Sequence, residues 1–274
     1  EFKKNNKKFS TIVSGNYLDP KFGIKKNFFK ENKIKINEKA NFKSPNLNIS
    51  SWSISMGNAI IEYAKILKKM KPDILVLTGD RIETLAMCIT ASYMNIKIAH
   101  IQAGDISGHI DDLARAAIAK FSHLHFAPSN QACKRLIKWG EEKKRIFFTG
   151  APQLNDISDI DLNFKDKDYF LIIFHPVLNE KKNLFFQIKN LINAIKKTKN
   201  KAYWIYSNND MGHDIIINKL KKLKFKKIRT IKNLDRKKFL AMLKKSKGLI
   251  GNSSSGIIEA SMFNIPVINI GTRQ

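Results

Sequence analysis

Short apolar segments alternate with longer amphipathic ones along most of the chain. Residues 73–78 and 97–101 are short apolar runs that end in Gly79-Asp80 and in Gly104-Asp105. A run of this kind is typical of a parallel strand that is buried on both faces. A helix-compatible segment, residues 82–94, separates the two runs. The pattern therefore predicts two consecutive strand–helix units, each with an acidic residue directly after its strand.

The same alternation extends over nearly the whole chain. The segments predicted as strands are residues 9–13, 33–37 (as an edge strand), 73–78, 97–101, 124–127, 145–149, 169–174, 202–206, 227–231, 248–250 and 266–270. The predicted helices are residues 55–70, 82–94, 111–121, 131–139, 184–196, 214–223, 235–245 and 257–263. The apolar spacing in the first helix predicts a core-facing stripe formed by Ile60, Ile61, Ala64, Ile66 and Leu67.

Residues 153–168 are polar and show neither the apolar periodicity of a strand nor that of a helix. They therefore divide the chain into two strand–helix series. We expect an α/β fold with two Rossmann-like domains that face each other across a cleft, each with a mainly parallel sheet. The expected domains are residues 1–155, which carry the acidic strand ends, and residues 156–274, which bind nucleotide. The series starts and stops abruptly, so we expect a further strand before residue 9 and a further helix after Gln274 in a longer chain.

The chain is strongly basic, with 50 Lys and Arg residues against 23 acidic residues and a formal net charge of +27 at pH 7. The excess is mostly Lys spread over predicted helices and loops, without a basic recognition motif, which argues against nucleic acid as the partner. A nucleic-acid-binding module is kept as an alternative, which predicts salt-sensitive DNA binding. The charge also attracts anionic ligands from a distance.

The composition is that of a globular protein, because 274 residues with 43% hydrophobic content are ample for a core. No apolar run reaches the roughly 18 residues of a membrane span. Cys88 and Cys133 lie in predicted helices and do not suggest a disulfide framework, which favours a cytoplasmic location. No His or Cys pair has the spacing of metal ligands, so no metal is expected.

A small, hydroxyl-rich turn, Gly251-Asn-Ser-Ser-Ser-Gly256, lies between a predicted strand and a predicted helix. Small residues let the backbone approach a ligand, and a helix N-terminus offers free N–H groups to a phosphate. A purely structural capped turn needs one Ser, so the hydroxyls of Ser253, Ser254 and Ser255 favour phosphate binding. Glu259, within the predicted helix, is a candidate acceptor for ribose hydroxyls.

Asp80, Asp105 and Asp111 are the candidate acid–base residues. Two of them end adjacent predicted strands, at the edge where open α/β sheets bind ligands. Carboxyl groups that lie close together raise one another's pKa, so one acts as an acid while another acts as a base. The structural alternatives are that Asp80 caps a helix and that Asp111 pairs with Arg115 one helical turn further on.

His175 ends the first strand of the second predicted domain and precedes a proline. Its position at a strand end directs it to the cleft, opposite the acids, and makes it a candidate catalytic residue. His100 lies inside a predicted strand and is expected to be a core residue. His123 and His125 are likewise expected to be structural.

A set of short segments, taken together, resembles the UDP-N-acetylglucosamine 2-epimerase family. The likeness is greatest to its hydrolysing branch, which serves sialic-acid and legionaminic-acid synthesis. Each segment is short, but their common order and spacing make the resemblance specific, and they extend over nearly the whole chain. The matching segments are residues 12–15, 20–23, 55–57, 79–81, 100–105, 110–112 with Arg115, 122–126, 175–177, 208–212, 251–259 and 271–274.

The resemblance implies a GT-B-like fold whose second domain binds most of UDP, with the sugar in the cleft. The implied substrate-binding residues are Arg81, Arg115, Asn208, Ser253, Ser254, Ser255, Glu259 and Arg273. The implied catalytic residues are Asp80, Asp105, Asp111 and His175, with His175 at the leaving diphosphate. The resemblance implies a UDP-2-acetamido sugar as substrate, no cofactor, and assembly as a homodimer or homotetramer.

The implied reaction removes the C2 proton and expels UDP to give a glycal-like intermediate, to which water adds with inversion at C2. This chain has Ala103-Gly104-Asp105 where the family usually has Gly-Gly-Glu, so the carboxylate is one methylene shorter, which points to a modified sugar or a different pose. The alternatives are a non-hydrolysing 2-epimerase and a GT-B glycosyltransferase that uses a nucleotide sugar. A transferase needs one base and an acceptor pocket, so three acids disfavour it.

Overall fold

The computed structural model describes residues 5, 7–18, 28–31, 33–42, 49–107, 111–155, 157, 164–198, 200–207, 210 and 212–274. The strands are β1 (Ile12–Ser14), β2 (Glu38–Ala40), β3 (Ile74–Thr78), β4 (Lys97–Ile101), β5 (Leu124–Ala127), β6 (Ile146–Phe148), β7 (Tyr169–Ile173), β8 (Lys201–Ile205), β9 (Ile228–Ile231), β10 (Gly248–Gly251) and β11 (Val267–Asn269). The α-helices are α1 (Phe28–Glu31), α2 (Ile49–Met70), α3 (Ile82–Tyr93), α4 (Asp111–Phe121), α5 (Asn130–Lys138), α6 (Leu184–Lys197), α7 (His213–Lys221), α8 (Arg236–Lys245) and α9 (Glu259–Met262). Strands and helices alternate in both halves of the chain, as the sequence pattern predicts.

The strands form three sheets in which every described pair is parallel. β1 pairs with β2, four strands follow the order β3-β4-β5-β6, and five follow the order β11-β10-β7-β8-β9. In the five-stranded sheet the chain runs outward from β7 to β9 and then crosses back to β10 on the other side of β7. The strand order thus reverses between β7 and β10, which is the kind of position at which open α/β sheets bind ligands.

The five-stranded sheet is covered on both faces because its central strand is apolar at successive positions. Ile172, in β7, and Phe174, directly after it, pack into a core with α6 and α7. Leu171 and Ile173 point the other way, into a core with α8 and α9. Alternate residues of a strand face opposite sides, so this continuous apolar run produces two cores and a doubly wound arrangement.

The first half is built around the packing of α2 against α3. Tyr63 and Leu67 of α2 are buried with Cys88 of α3 and Ile98 of β4. The two-stranded sheet contributes Ala40 to the same core, and the Tyr63 hydroxyl donates a hydrogen bond to Ser14 Oγ at 2.7 Å. The short β1–β2 pair is therefore attached to the body of the first half through α2.

Helix α2 differs from its prediction in both length and orientation. It begins at Ile49 rather than at residue 55. Ile61, predicted to face the core, is 56% exposed, whereas Ala59 and Tyr63 are buried with Ile66 and Leu67. The helix contains more apolar residues than one core-facing stripe needs, so the pattern alone does not determine which face of the helix is buried. Packing against α3 determines it.

Two strands also differ from their predictions. The edge strand is β2 (Glu38–Ala40), not residues 33–37, and its Glu38 pairs with Ile12 of β1. β3 was predicted to be buried on both faces, but its Ile74 and Val76 are exposed. Within the described part of the chain β3 pairs only with β4, so it lies at the edge of its sheet.

The domain boundary predicted near residue 155 lies in the connection between β6 and β7. Part of that connection, residues 156 and 158–163, falls outside the described residues. The division into residues 1–155 and 156–274 therefore stays a prediction, although the sheets divide at this point of the chain.

Two glycines are expected to respond oppositely to alanine. Gly57 lies on the exposed side of α2, and a Cβ there meets nothing within 4 Å. Gly57→Ala should raise the free energy of unfolding by about 0.5–1 kcal/mol, because glycine is a poor helix former.

At Gly251, with φ +143°, a Cβ would lie 1.9 Å from the carbonyl oxygen of Ile173. Gly251→Ala should therefore destabilise by roughly 2 kcal/mol or more in urea unfolding. Equal stability of Gly251→Ala and wild type would contradict the close approach of β10 to β7.

Candidate active site

A polar cavity of about 270 Å³ lies between the two halves of the chain, at the carboxyl ends of strands from both. Small-molecule pockets typically measure about 300–1,000 Å³, so this one is slightly smaller than that range. The lining residues that matter for chemistry are Asp80, Gln102, Asp105, Asp111 and Arg115 from the first half and Ser254 and Arg273 from the second. The cavity thus combines acids from one side with a hydroxyl and a guanidinium from the other.

The three candidate acids line this one cavity. Asp80 follows β3, Asp105 follows the turn after β4, and Asp111 is the first residue of α4. They converge because neighbouring parallel strands end at the same edge of a sheet, which is the basis on which the sequence predicted their proximity. Their individual chemical roles stay predictions.

Arg115 lies at the centre of this acidic group and is itself buried. Its Nη2 pairs with Asp80, and its Nη1 donates to Asp112 Oδ1 at 3.1 Å and to the backbone oxygen of Asp105 at 2.9 Å. Burial, and secondarily the nearby charge of Arg135, lowers the pKa of Arg115 to about 10, so it is cationic at neutral pH. Arg115 therefore pairs with Asp80 and Asp112, and the alternative pairing with Asp111 stays a prediction.

Asp105 is the acid whose surroundings favour its protonated form. Burial raises the pKa of Asp105 above its ordinary value; the charge of Arg135 acts in the opposite direction, and Asp112 adds to the increase. Arg135 also donates to the backbone oxygen of Gly104, which fixes the turn that carries Asp105. A carboxyl group with a raised pKa at a ligand cavity is a candidate for proton exchange with a ligand.

His100 supports the turn in front of Asp80 from inside the sheet. Its Nε2–H donates to the carbonyl oxygen of Gly79 at 2.8 Å, because a carbonyl can only accept. Burial lowers the pKa of His100 to about 4, so the imidazole is neutral at pH 7. His100 is thus a core residue, as predicted, and it fixes the position at which Gly79 turns with φ +77°.

The hydroxyl-rich turn has a different local structure from the prediction. Ser253 Oγ accepts a hydrogen bond from the Ser255 amide at 3.3 Å, and a 3₁₀ turn follows over Ser254–Gly256. The α-helix that comes next is only α9 (Glu259–Met262), so the predicted helix over residues 257–263 is wrong in length. A helix of one turn has little macrodipole, so any phosphate site here depends on side chains and on the turn's own amides.

His175 lies directly beyond Phe174 after β7 and is buried. The side-chain amide of Asn252 holds its backbone on both sides: Asn252 Oδ1 accepts from the His175 amide at 2.7 Å, and Asn252 Nδ2 donates to the His175 carbonyl at 2.8 Å. This pair joins the ends of β7 and β10 at the switch point of the sheet. His175 is not among the residues that line the cavity.

The remaining predicted binding residues come from both halves of the chain. Glu259 is buried and pairs with Arg236 at 3.3 Å. Arg273 lines the cavity and is 3.4 Å from Asp210, whereas Arg81 is 3.4 Å from Glu83 and does not line the cavity. Asn208 lies outside the described residues.

Gln102 is a cavity residue that the sequence did not single out. It follows β4 directly and has φ +61°, which places a non-glycine residue in the left-handed region. Within the described part of the chain its side chain forms no hydrogen bond, and it lines the cavity beside the three acids. Its position one residue after a strand end is typical of a site residue. Its side chain is neither an acid nor a base, so the sequence offers no reason to assign it a catalytic role.

Within the described residues, no group of three or more His, Cys, Asp or Glu side chains is arranged to hold a metal ion. No helix of this part of the chain combines the length and the apolar character that crossing a bilayer requires.

Parallel sheets in two halves of the chain, with a polar cavity at the carboxyl ends of strands from both, define a GT-B-like α/β protein. The UDP-N-acetylglucosamine 2-epimerase family model matches residues 1–274, and the chain belongs to this family. A crystal structure of the Methanocaldococcus jannaschii UDP-GlcNAc 2-epimerase, in complex with UDP-GlcNAc and UDP, has a TM-score of 0.82 at 24% identity, over 98% of this chain and 77% of that one. This similarity confirms the predicted fold class.

Relatives of known name are similar over almost the full sequence. A UDP-N,N'-diacetylbacillosamine 2-epimerase (hydrolyzing) from Legionella pneumophila is 33% identical over 97% of this chain and 74% of its own length. A GDP/UDP-N,N'-diacetylbacillosamine 2-epimerase (hydrolyzing) from Campylobacter jejuni is 34% identical over 96% of this chain and 72% of its own length. These relatives agree with the hydrolysing branch that the sequence motifs indicate.

The lowered pKa of His100 leads to a pH prediction. A histidine with a folded-state pKa near 4 binds its proton more readily in the unfolded chain, where the pKa is about 6.5. Stability is then complete above pH 6.5 and falls as the pH drops toward 4, by at most about 3 kcal/mol for this group. His100→Gln should reduce this loss between pH 7 and pH 4.5 in urea unfolding. His123→Gln, at an exposed position, is the matched control, and an unchanged pH slope in His100→Gln would contradict the assignment.

Proposed function

We propose that the chain is a hydrolysing UDP-sugar 2-epimerase, which releases UDP and the free 2-epimeric sugar. The observation that carries the proposal is the convergence of Asp80, Asp105 and Asp111 in one cavity that Ser254 and Arg273 close from the other half. Elimination and rehydration at a sugar need acid and base groups near C2 and cationic groups near a leaving diphosphate. The relatives named as hydrolysing 2-epimerases support the same reaction.

In the proposed reaction, a carboxylate removes the proton from C2 while the bond between C1 and the UDP oxygen breaks. The products of this step are a 1,2-glycal and UDP, whose new negative charge cationic groups stabilise. Water then adds its hydroxyl to C1, and C2 receives a proton on the face opposite to the one that lost it. The sugar leaves with inverted configuration at C2, and the acid–base groups return to their starting protonation states.

The surroundings of the acids support different roles for them. Asp105, with its raised pKa, is the proposed proton-exchanging group at C2. Arg115 pairs with Asp80 and fixes its position, which suits Asp80 to orient the substrate or to act as the partner base. Asp111, at the start of α4, is the remaining candidate for the opposite face of the sugar.

We assign UDP to the second half of the chain. Ser253, Ser254 and Ser255 offer hydroxyls and amides in the turn after β10, and Arg273 offers a cation beside them. Arg81, Asn208 and Glu259 are proposed to complete this site. His175 is proposed to act at the leaving diphosphate, because it follows the strand next to β10. Glu259 pairs with Arg236 in this structure, so binding of a ribose hydroxyl would share or replace that contact.

The proposed substrate is a UDP-2-acetamido sugar of the type used in sialic-acid and legionaminic-acid synthesis. The names of two relatives point to UDP-N,N'-diacetylbacillosamine, and the short side chain of Asp105 leaves more room than a glutamate would. A non-hydrolysing epimerase and a glycosyltransferase have less support, since those relatives are named as hydrolysing 2-epimerases. A cytoplasmic location and a homodimer or homotetramer remain expectations.

Proton NMR in D2O separates these reactions. With UDP-N-acetylglucosamine or UDP-N,N'-diacetylbacillosamine, we expect free UDP and a free 2-epimeric sugar that carries deuterium at C2. A non-hydrolysing epimerase would leave the epimeric sugar attached to UDP. A glycosyltransferase would give no deuterium at C2 and would need an acceptor. Absence of both UDP release and C2 exchange with either substrate would contradict the proposal.

Asp105→Asn should lower the rate of C2 exchange by roughly two to four orders of magnitude, because the amide cannot transfer the proton. UDP affinity should be nearly unchanged, since the carboxylate belongs to the first half of the chain and the proposed UDP-binding groups belong mainly to the second. Exchange is measured by NMR and UDP affinity by calorimetry. Asp73→Asn is the matched control, because Asp73 is an exposed acid at the opposite end of β3.

Asp105→Glu adds the methylene that the family usually has at this position. If substrate choice has shortened the acid, this variant should gain activity on plain UDP-N-acetylglucosamine and lose activity on the modified sugar. Full exchange activity in Asp105→Asn would remove Asp105 from the mechanism and leave Asp80 and Asp111 as candidates.

A further inference from the structure

A buried carboxylate, Asp210, lies where arginines from the two halves of the chain meet. Its side chain is 8% exposed. Oδ2 is 3.4 Å from Nη2 of Arg273, near the end of the chain, and Oδ1 is 3.9 Å from Nη1 of Arg81, which precedes α3. Asp210 therefore links the first half of the chain to the second through one side chain.

Arg273 is held on one edge of its guanidinium only. Its Nη1 donates to the backbone oxygen of Asn252 at 3.2 Å, and its Nη2 faces Asp210. Its Nε is buried and has no hydrogen-bond acceptor within the described residues. Arg273 also lines the cavity. A buried N–H without an acceptor is costly, so the structure leaves a donor available where an anionic oxygen would satisfy it.

Arg81 is more accessible than Arg273. Its Nε lies 3.4 Å from Glu83 Oε2, and its side chain is 36% exposed. Two guanidinium groups repel each other when they approach, so a shared carboxylate lowers the free energy of bringing them together. The Asp210 carboxylate also compensates the positive charge of the two arginines as long as no other anion is bound.

We infer that Asp210 is a positioning residue that holds Arg81 and Arg273 ready for the diphosphate of the nucleotide sugar. This inference rests on the proposed function and concerns the same site. Asp210 orders both guanidinium groups before the ligand binds, and it holds one arginine from each half at the same carboxylate. Of the two, Arg273 lines the cavity. Binding of a diphosphate then loses less side-chain freedom than it would with two unrestrained arginines.

The direction in which Asp210→Asn changes UDP affinity distinguishes a positioning role from a purely electrostatic one. Asp210 is a negative charge close to a proposed anion site, so as a charge alone it opposes the binding of UDP. If that were its only effect, Asp210→Asn would strengthen UDP binding. If Asp210 positions the arginines, the same change should weaken UDP binding by roughly ten- to a hundredfold, because misplaced groups lose most of their effect.

The experiment is calorimetric titration of UDP into wild type, Asp210→Asn and Asp214→Asn. Asp214 lies one helical turn further along, in α7, and its substitution makes the same change of charge, so it is the matched control. We expect a weaker dissociation constant for Asp210→Asn and at most a small increase in affinity for Asp214→Asn. Equal or tighter UDP binding by a folded Asp210→Asn protein overturns the inference.

Arg81→Lys tests the same link without touching the buried carboxylate. The substitution keeps the positive charge at an accessible position, but lysine lacks the planar fork that reaches Glu83 and Asp210 together. UDP binding should weaken about tenfold or more although the charge is unchanged. Unchanged affinity in Arg81→Lys contradicts the inference even if Asp210→Asn does not fold.

A double-mutant cycle completes the test. Asp210→Asn and Arg273→Gln should be strongly non-additive in UDP affinity, because the first change acts through the second residue. Independent effects would overturn the positioning role. Failure of the proposed function has a different signature: wild type itself would show no UDP binding and no C2 exchange, whereas failure of this inference leaves both intact.

Discussion

The burial of one guanidinium group determines the geometry of the acidic side of the cavity. Arg115 reaches from α4 to Asp80 after β3 and to the backbone oxygen of Asp105 after β4, and it pairs with Asp112 on its own helix. A buried cation must be compensated, because an unpaired one is strongly destabilising. The need to satisfy Arg115 therefore fixes the ends of two strands relative to a helix, and it keeps the acids close without leaving them to repel one another.

In the second half of the chain, a neutral side chain fixes the ends of two strands. The amide of Asn252 both donates to and accepts from the backbone of His175, and so joins the two strands on either side of the switch point. A neutral amide suits this position, because the site proposed here must receive a diphosphate and its positive groups must stay available. The two sides of the cavity are thus rigid for different electrostatic reasons.

The sequence predicts best what depends on short-range periodicity. Strand ends could be located from apolar runs, and the meeting of Asp80 and Asp105 follows because parallel strands share an edge. The Asp235 side chain caps α8, as its residue type suggests, through a bond from the Lys238 amide at 2.8 Å. What the sequence could not predict depends on long side chains and on packing. Arg115 pairs with Asp80 and Asp112, and Ile61 faces the solvent, because of contacts that form only in the assembled fold.

Gln102 has a consequence for any attempt to engineer this protein. A side chain in the left-handed region costs roughly 1–2 kcal/mol, which glycine would avoid. A screen that rewards thermal stability alone would therefore favour glycine at this position and would remove an amide from the cavity wall. Strained residues concentrate where function needs them, and stabilised variants often lose activity for this reason. Stabilising libraries for this chain should hold position 102 constant and vary exposed helix positions instead.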